Sequence, residues 1–220
     1  MNNSDFETAL LAKIGRVFRA HSDLFDHREE FPWLTGSLGD PTAEVLFVAE
    51  NPSLSQLERA TDPKGGPPTK EAQWFASKGD KLFREALLGA GLKDGDVASS
   101  GDWRCYITNV IKEADYAERW KKSGQLRRNN AADVWSDVLR WELEKVNPKL
   151  VVAMGNQVEK YLRHLDESGK IDLPKFKKVD HYSYVAMRPK GKLGPMHPDR
   201  VNAYHEEIRG LSSRTMGNDE

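Results

Sequence analysis

Two runs in this chain are apolar at every position: "VLFVA" at 45–49 and "LVVAM" at 150–154. Successive residues of a strand point to opposite faces of its sheet. A strand that is apolar throughout must therefore be covered on both faces, which is the habit of parallel sheets clothed by helices. The surrounding pattern agrees. Phe6, Leu10, Leu11, Ile14, Val17 and Phe18 recur at helical spacing over residues 5–20, ahead of a first strand at 44–49. A helix over 79–90 buries Leu82, Phe83, Ala86 and Leu87 and stops at Gly91. Strands at 104–112 and 149–155 are separated by a helix at 131–146, which "NP" at 147–148 ends. A helix at 156–165, a fourth strand at 176–185 and a last helix opened by Pro198 complete the pattern. The expected class is α/β, three-layered α/β/α, with a central, mostly parallel four-stranded sheet. "RATDPKGGPPTKEAQ" (59–73) is loop by composition. One domain over 1–211, opening with a helical segment at 1–32, and a disordered tail at 212–220 are expected.

Composition excludes several classes. A single cysteine, Cys105, leaves no disulfide framework and no cysteine-built zinc or iron–sulfur site. No stretch approaches the ~18 apolar residues of a membrane span. "MNNSDFETAL" lacks a basic segment followed by an apolar run, so no secretory signal is expected and the cytoplasm is the expected compartment. The formal net charge is −1, but its distribution is uneven. Residues 174–200 carry seven basic and two acidic side chains, a local net of +5, and 119–128, "RWKKSGQLRR", carry five basic and no acidic ones. Local basic surface attracts polyanions whatever the total.

In an open parallel sheet, ligands bind beyond the carboxyl ends of the strands. The first strand ends on Glu50-Asn51-Pro52-Ser53, the second carries Asn109, the third ends at Gly155-Asn156, and the fourth contains His181 with Ser183 two residues on. Singly, each has a plain structural reading: a turn at Asn-Pro, an amide pairing with a loop, a core histidine. Asn109 is the least easily dismissed, since Asn is depleted in strands and an unpaired buried amide costs about 1–3 kcal/mol. There is no G-x-G-x-x-G, no G-x-x-x-x-G-K-[ST] and no G-x-S-x-G, and "YHEEI" is not H-E-x-x-H.

These residues resemble the uracil-DNA glycosylase superfamily, in order, over most of 33–185. "GDPTAEVLFVAENPS" resembles the first motif, Gly-Glu-x-Pro-Gly or Gly-x-Asn-Pro-Gly at a strand end. "WFASKGDKLFREALLGAGL" resembles the stretch whose Phe stacks on the base, and "YITNVIK" the strand whose Asn reads the base edge. "NPKLVVAMG" resembles the third strand, and "HYSYV" the His-Pro-Ser motif that closes the site. The resemblance implies catalytic roles for Asn51, Glu50 and His181, and a base pocket of Phe75, Asn109, Ala49 and Pro52. It implies phosphate contacts at Ser53 and Ser183, and a wedge at Tyr184, Val185 and Met187, beside the basic Arg188, Lys190 and Lys192. Ala49 and Ser53 replace the motif's glycines, Tyr182 replaces its Pro, the iron–sulfur cysteines are missing, and "EADYAERWKK" stands where a Cys-Arg-Pro-Pro run is usual.

The implied activity is that of a monomeric, monofunctional, cofactor-free DNA glycosylase, which flips out uracil or a related pyrimidine and leaves an abasic site. Other bases (hypoxanthine, mismatched thymine, a modified cytosine of the kind found in phage DNA) fit the same mechanism. A non-catalytic DNA-binding relative and, more remotely, a small-molecule α/β enzyme are the alternatives from other classes.

Overall fold

The computed structural model of the chain describes residues 3–21, 37–55, 74–75, 77–99, 101–187 and 197–215. The loop expected at 59–73 lies outside them. In chain order the elements are α1 (Asn3–Ala20), β1 (Leu38–Gly39), β2 (Val45–Ala49), α2 (Lys78–Gly89), β3 (Tyr106–Asn109), α3 (Ala117–Lys122) and α4 (Gln125–Val146). Then follow β4 (Leu150–Met154), α5 (Asn156–Glu167), β5 (Phe176–Val179), α6 (Tyr182–Val185) and α7 (Pro198–Thr215).

The sheet runs β1-β3-β2-β4-β5, with β3, β2, β4 and β5 parallel and β1 antiparallel to β3. It therefore has five strands rather than four. The addition is the two-residue edge strand β1, too short to leave a hydrophobic pattern. After β2 the chain moves to one side of it, and after β3 it crosses to β4 on the other side. The carboxyl ends of β2 and β4 thus flank the point where the winding reverses, where such sheets open a crevice.

The unbroken apolar runs are explained by two cores. Leu46 and Val48 of β2, with Val151 and Ala153 of β4, face a cluster containing Phe6, Ile14, Trp135, Leu139 and Tyr161. Val45, Phe47 and Ala49, with Leu150, Val152 and Met154, face Phe83, Leu87, Tyr204 and Ile208. Each fully buried side chain of this kind contributes about 1.5–3 kcal/mol, so a polar residue anywhere in either run would weaken one layer.

Local signals set the ends. Ser77 and Asp80 form a reciprocal capping box at the start of α2. Asn147 takes the left-handed conformation after α4 (φ 47°), and Pro148 prevents continuation. Four boundaries differ clearly from expectation, the first being β3, which spans only Tyr106–Asn109 of the strand expected at 104–112. β5 stops at Val179, and 182–185 is a single helical turn, because the His181 side chain caps it in place of strand pairing. α4 starts at Gln125, six residues early, its first turn being too polar to show an apolar stripe. The last helix continues to Thr215, inside the segment expected to be disordered.

One polar network crosses the first core. Lys112 Nζ lies 2.5 Å from Glu142 Oε2, and both side chains are fully buried. Thr108 Oγ1 and the Tyr106 hydroxyl donate to Glu142 Oε1 at 2.7 and 2.9 Å. Burial lowers the Lys112 pKa, and the carboxylate beside it opposes that shift. The network clips β3 and the loop after it to α4. Removing one member of such a pair leaves an uncompensated buried charge, whereas removing both does not. Lys112→Met should therefore cost about 3–5 kcal/mol in urea denaturation, and Lys112→Met/Glu142→Leu should recover most of the loss.

Candidate active site

A cleft of about 500 Å³ opens at the carboxyl ends of β2 and β4. Its walls include Ala49 to Ser53 after β2, Asn109 at the end of β3, Gly155 to Val158 after β4, and His181 to Ser183 after β5. Four separate strand ends supply it, so only the sheet brings these residues together.

Glu50 is anchored on one side. Its Oε1 accepts hydrogen bonds from the Trp120 indole at 2.8 Å and the Tyr161 hydroxyl at 3.0 Å, with Arg128 Nη1 4.0 Å away. These donors come from α3, α5 and α4. Burial, with the carboxylate next, raises the Tyr161 pKa, so the phenol stays a donor. Asn51 rests its amide nitrogen on the main-chain carbonyls of Pro52 (3.4 Å) and Glu113 (3.5 Å). With the nitrogen so placed, its Oδ1 is the atom available to a water in the cleft. Main-chain bonds from Val110 to Ala49, Ile111 to Glu50 and Asp115 to Pro52 tie the loops after β2 and β3 into one unit. Asn109, beside Ala49 in the parallel pair β2–β3, is buried at the cleft floor.

His181 is held in one tautomer. Its Nδ1 accepts from the Ser183 main-chain N–H at 3.1 Å and faces the Ser183 hydroxyl at 2.7 Å. An accepting Nδ1 places the proton on Nε2. Burial lowers the imidazole pKa to about 4, so at neutral pH the ring is an uncharged donor. Beneath it, the Tyr182 ring stacks at 4.5 Å and rests in turn on Phe83. The Tyr182 side chain bonds to buried Asp80 of the α2 capping box. Two glycines permit this packing. A Cβ at Gly155, which has φ +96°, would come within 3.2 Å of the His181 Cβ, and one at Gly79 within 2.9 Å of the Tyr182 ring.

Not every implied residue lies where its role would need it. Phe75 is absent from the cleft wall and packs under the Arg84 guanidinium, 3.8 Å from the ring centre. Its neighbour Trp74 lines the cleft instead, and its carbonyl is held by Arg84. Consecutive residues in a tight turn point to different sides, so the sequence motif identifies the turn but not the ring. Val185 is buried, because in a helical turn it shares the inner face with Tyr182, while Tyr184 and Met187 are half exposed. The Ser183 hydroxyl is engaged by His181, and Ser53 Oγ pairs with Ser55 at 3.0 Å. Arg188, Lys190 and Lys192 lie outside the described residues. Sequence reasoning missed Trp74, Trp120, Tyr161 and Lys121. Of these only Trp74 carried a signal, its place beside the motif Phe. Among the described residues no group of His, Cys, Asp and Glu could hold a metal ion, and no helix is long and apolar enough to cross a membrane.

A family model described as the Uracil DNA glycosylase superfamily matches residues 37–212, and the chain belongs to that superfamily. No curated protein matches the chain.

The His181 environment has a stability signature. The folded-state pKa of about 4 lies below the unfolded value near 6.5. Between these values the unfolded chain binds a proton that the folded chain refuses. Stability from this group is complete above about pH 6.5 and is lost as pH falls toward 4. The Tm of the wild type should fall through that window, and His181→Gln should flatten the profile there.

Proposed function

We propose that this member of the uracil DNA glycosylase superfamily hydrolyses the N-glycosidic bond of an extruded pyrimidine nucleotide, leaving an abasic site in DNA. One observation carries the reading: anchored Glu50, Asn51, Asn109 and uncharged His181 share one cleft. The target atoms are inaccessible in a stacked duplex, so the nucleotide must leave the stack to reach it.

The C1′–N bond breaks heterolytically. Its electron pair leaves with the base, and C1′ becomes oxocarbenium-like. His181 Nε2–H donates to the base carbonyl on which negative charge develops. A neutral donor suits this role, since it stabilises the anion without having to surrender a proton. Asn109 pairs with the base edge, and its amide orientation decides between a uracil-like and a cytosine-like partner. Asn51 Oδ1 orients a water toward C1′. Glu50, with Oε1 fixed by Trp120 and Tyr161, turns its other carboxylate oxygen to the cationic sugar and takes a proton from the attacking water. Trp74 replaces Phe75 as the flat wall of the pocket. Because the nucleophile is water, the reaction is monofunctional and borohydride traps no covalent intermediate.

The decisive experiment is base excision from single- and double-stranded oligonucleotides carrying uracil, hypoxanthine, mismatched thymine or modified cytosines, with alkali to reveal abasic sites. Excision should occur at one base. His181→Ala should slow single-turnover cleavage about 100–1,000-fold, as losing a donor to a developing anion does, while DNA affinity changes little. Absence of excision from every substrate, with DNA still bound, would make the chain a binding relative of the superfamily. Gly155→Ala, which pushes on the His181 Cβ, should likewise lower the cleavage rate more than affinity.

A further inference from the structure

Among the described residues the exposed large hydrophobic side chains are Tyr116 (37%), Leu126 (76%), Tyr184 (50%) and Met187 (59%). They fall on the two segments that flank the cleft, and nowhere else. One is the His181–Met187 side. The other is the stretch from Tyr116 through α3 to the first turn of α4.

This second segment is built into the site. Ala117 and Lys121, one helical turn apart, line the cleft. Trp120, on the inner face of α3, is tied to Glu50. Arg119 pairs with buried Asp115, which also accepts from the Tyr116 main chain and joins the loop after β2 through the Ser53–Asp115 bridge. Arg128 lies beside Glu50, so the first turn of α4 starts near the cleft, and exposed Leu126 belongs to that same turn. The remaining cations face outward. The Lys121 side chain is 69% exposed, with Glu118 3.9 Å away at an exposed position that compensates it weakly. Lys122 is exposed, and Arg127 is half exposed, 3.9 Å from Glu113.

Cations interleaved with exposed apolar side chains beside a cleft are the surface a single nucleic-acid strand takes. Phosphates meet the ammonium and guanidinium groups, and unstacked bases meet the apolar ones. We propose that Tyr116–Arg128 is a second jaw that grips the DNA strand next to the extruded nucleotide, with Lys121, Lys122 and Arg127 on phosphates and Leu126 on a base. The inference rests on the nucleic-acid reading above and adds to it a binding element opposite the His181–Met187 side.

The test is the salt dependence of binding of the full chain to a fluorescein-labelled single-stranded oligonucleotide, followed by anisotropy. Each phosphate contact on a single strand contributes about 0.7 to the slope of log K against log salt. Lys121→Ala/Lys122→Ala should lower that slope by about 1.4, and should weaken binding roughly 10-fold near 0.1 M salt. Leu126→Ala should weaken binding about 5-fold with the slope unchanged, since an apolar contact releases no counterions. Lys145→Ala, about 30 Å along α4 from its start, controls for net charge and should change neither. These positions are exposed, and matched Tm values verify folding. An unchanged slope in the double variant, or a change equalled by Lys145→Ala, overturns the second jaw and leaves the glycosylase reading intact. A wild-type chain that binds no DNA overturns both.

Discussion

One carboxylate oxygen organises the cleft. Glu50 Oε1, at the carboxyl end of β2, receives the Trp120 indole from α3 and the Tyr161 phenol from α5, with Arg128 of α4 nearby. Trp120 and Tyr161 are core residues whose polar atoms could not otherwise be buried without cost, about 1–3 kcal/mol for each unpaired donor. The same bonds that satisfy them fix the carboxylate. Three helices are thereby referred to the end of a single strand, and the cleft wall inherits the rigidity of the sheet. Dipoles set before a ligand arrives need no reorganisation when charge develops beside them.

The opposite wall uses packing more than charge. His181 is kept neutral by burial and kept in one tautomer by Ser183, while its ring is carried on Tyr182, Phe83 and the Asp80 capping box. Where the superfamily motif has a stiff proline, this chain has an aromatic ring anchored at its far end. The physical purpose is shared, since either residue limits how the histidine can move. Glycine at 155 then lets β4 approach within contact of that histidine. The two walls differ in character: one fixes a carboxylate, and the other presents an uncharged imidazole.

Between these walls lies a groove whose rims are asymmetric. The His181–Met187 rim carries the stretch that resembles the superfamily's His-Pro-Ser motif, whereas the Tyr116–Arg128 rim is built on a helix anchored to Glu50. That anchoring joins the Tyr116–Arg128 rim to the Glu50 carboxylate through Trp120.

The sequence determined the layers. Strands apolar at every position need a sheet covered on both faces, and helical stripes such as Phe6, Leu10 and Ile14 name the cover. It also determined which strand ends carry polar residues, because Glu50, Asn51, Asn109 and His181 interrupt or terminate apolar runs where burial alone would not place them. Tertiary structure decided the rest. Whether Trp74 or Phe75 faces the cleft depends on how one tight turn sits against Arg84, and adjacent residues carry no local signal of side. The 182–185 segment became helical because a side chain capped it, which moved Val185 inward. Trp120, Tyr161 and Arg128 looked like ordinary core or surface residues until three helices brought them to one oxygen, 70, 111 and 78 positions from Glu50 in the chain. Periodicity reports what a residue does for its own element, and contacts between elements are set only when the layers pack.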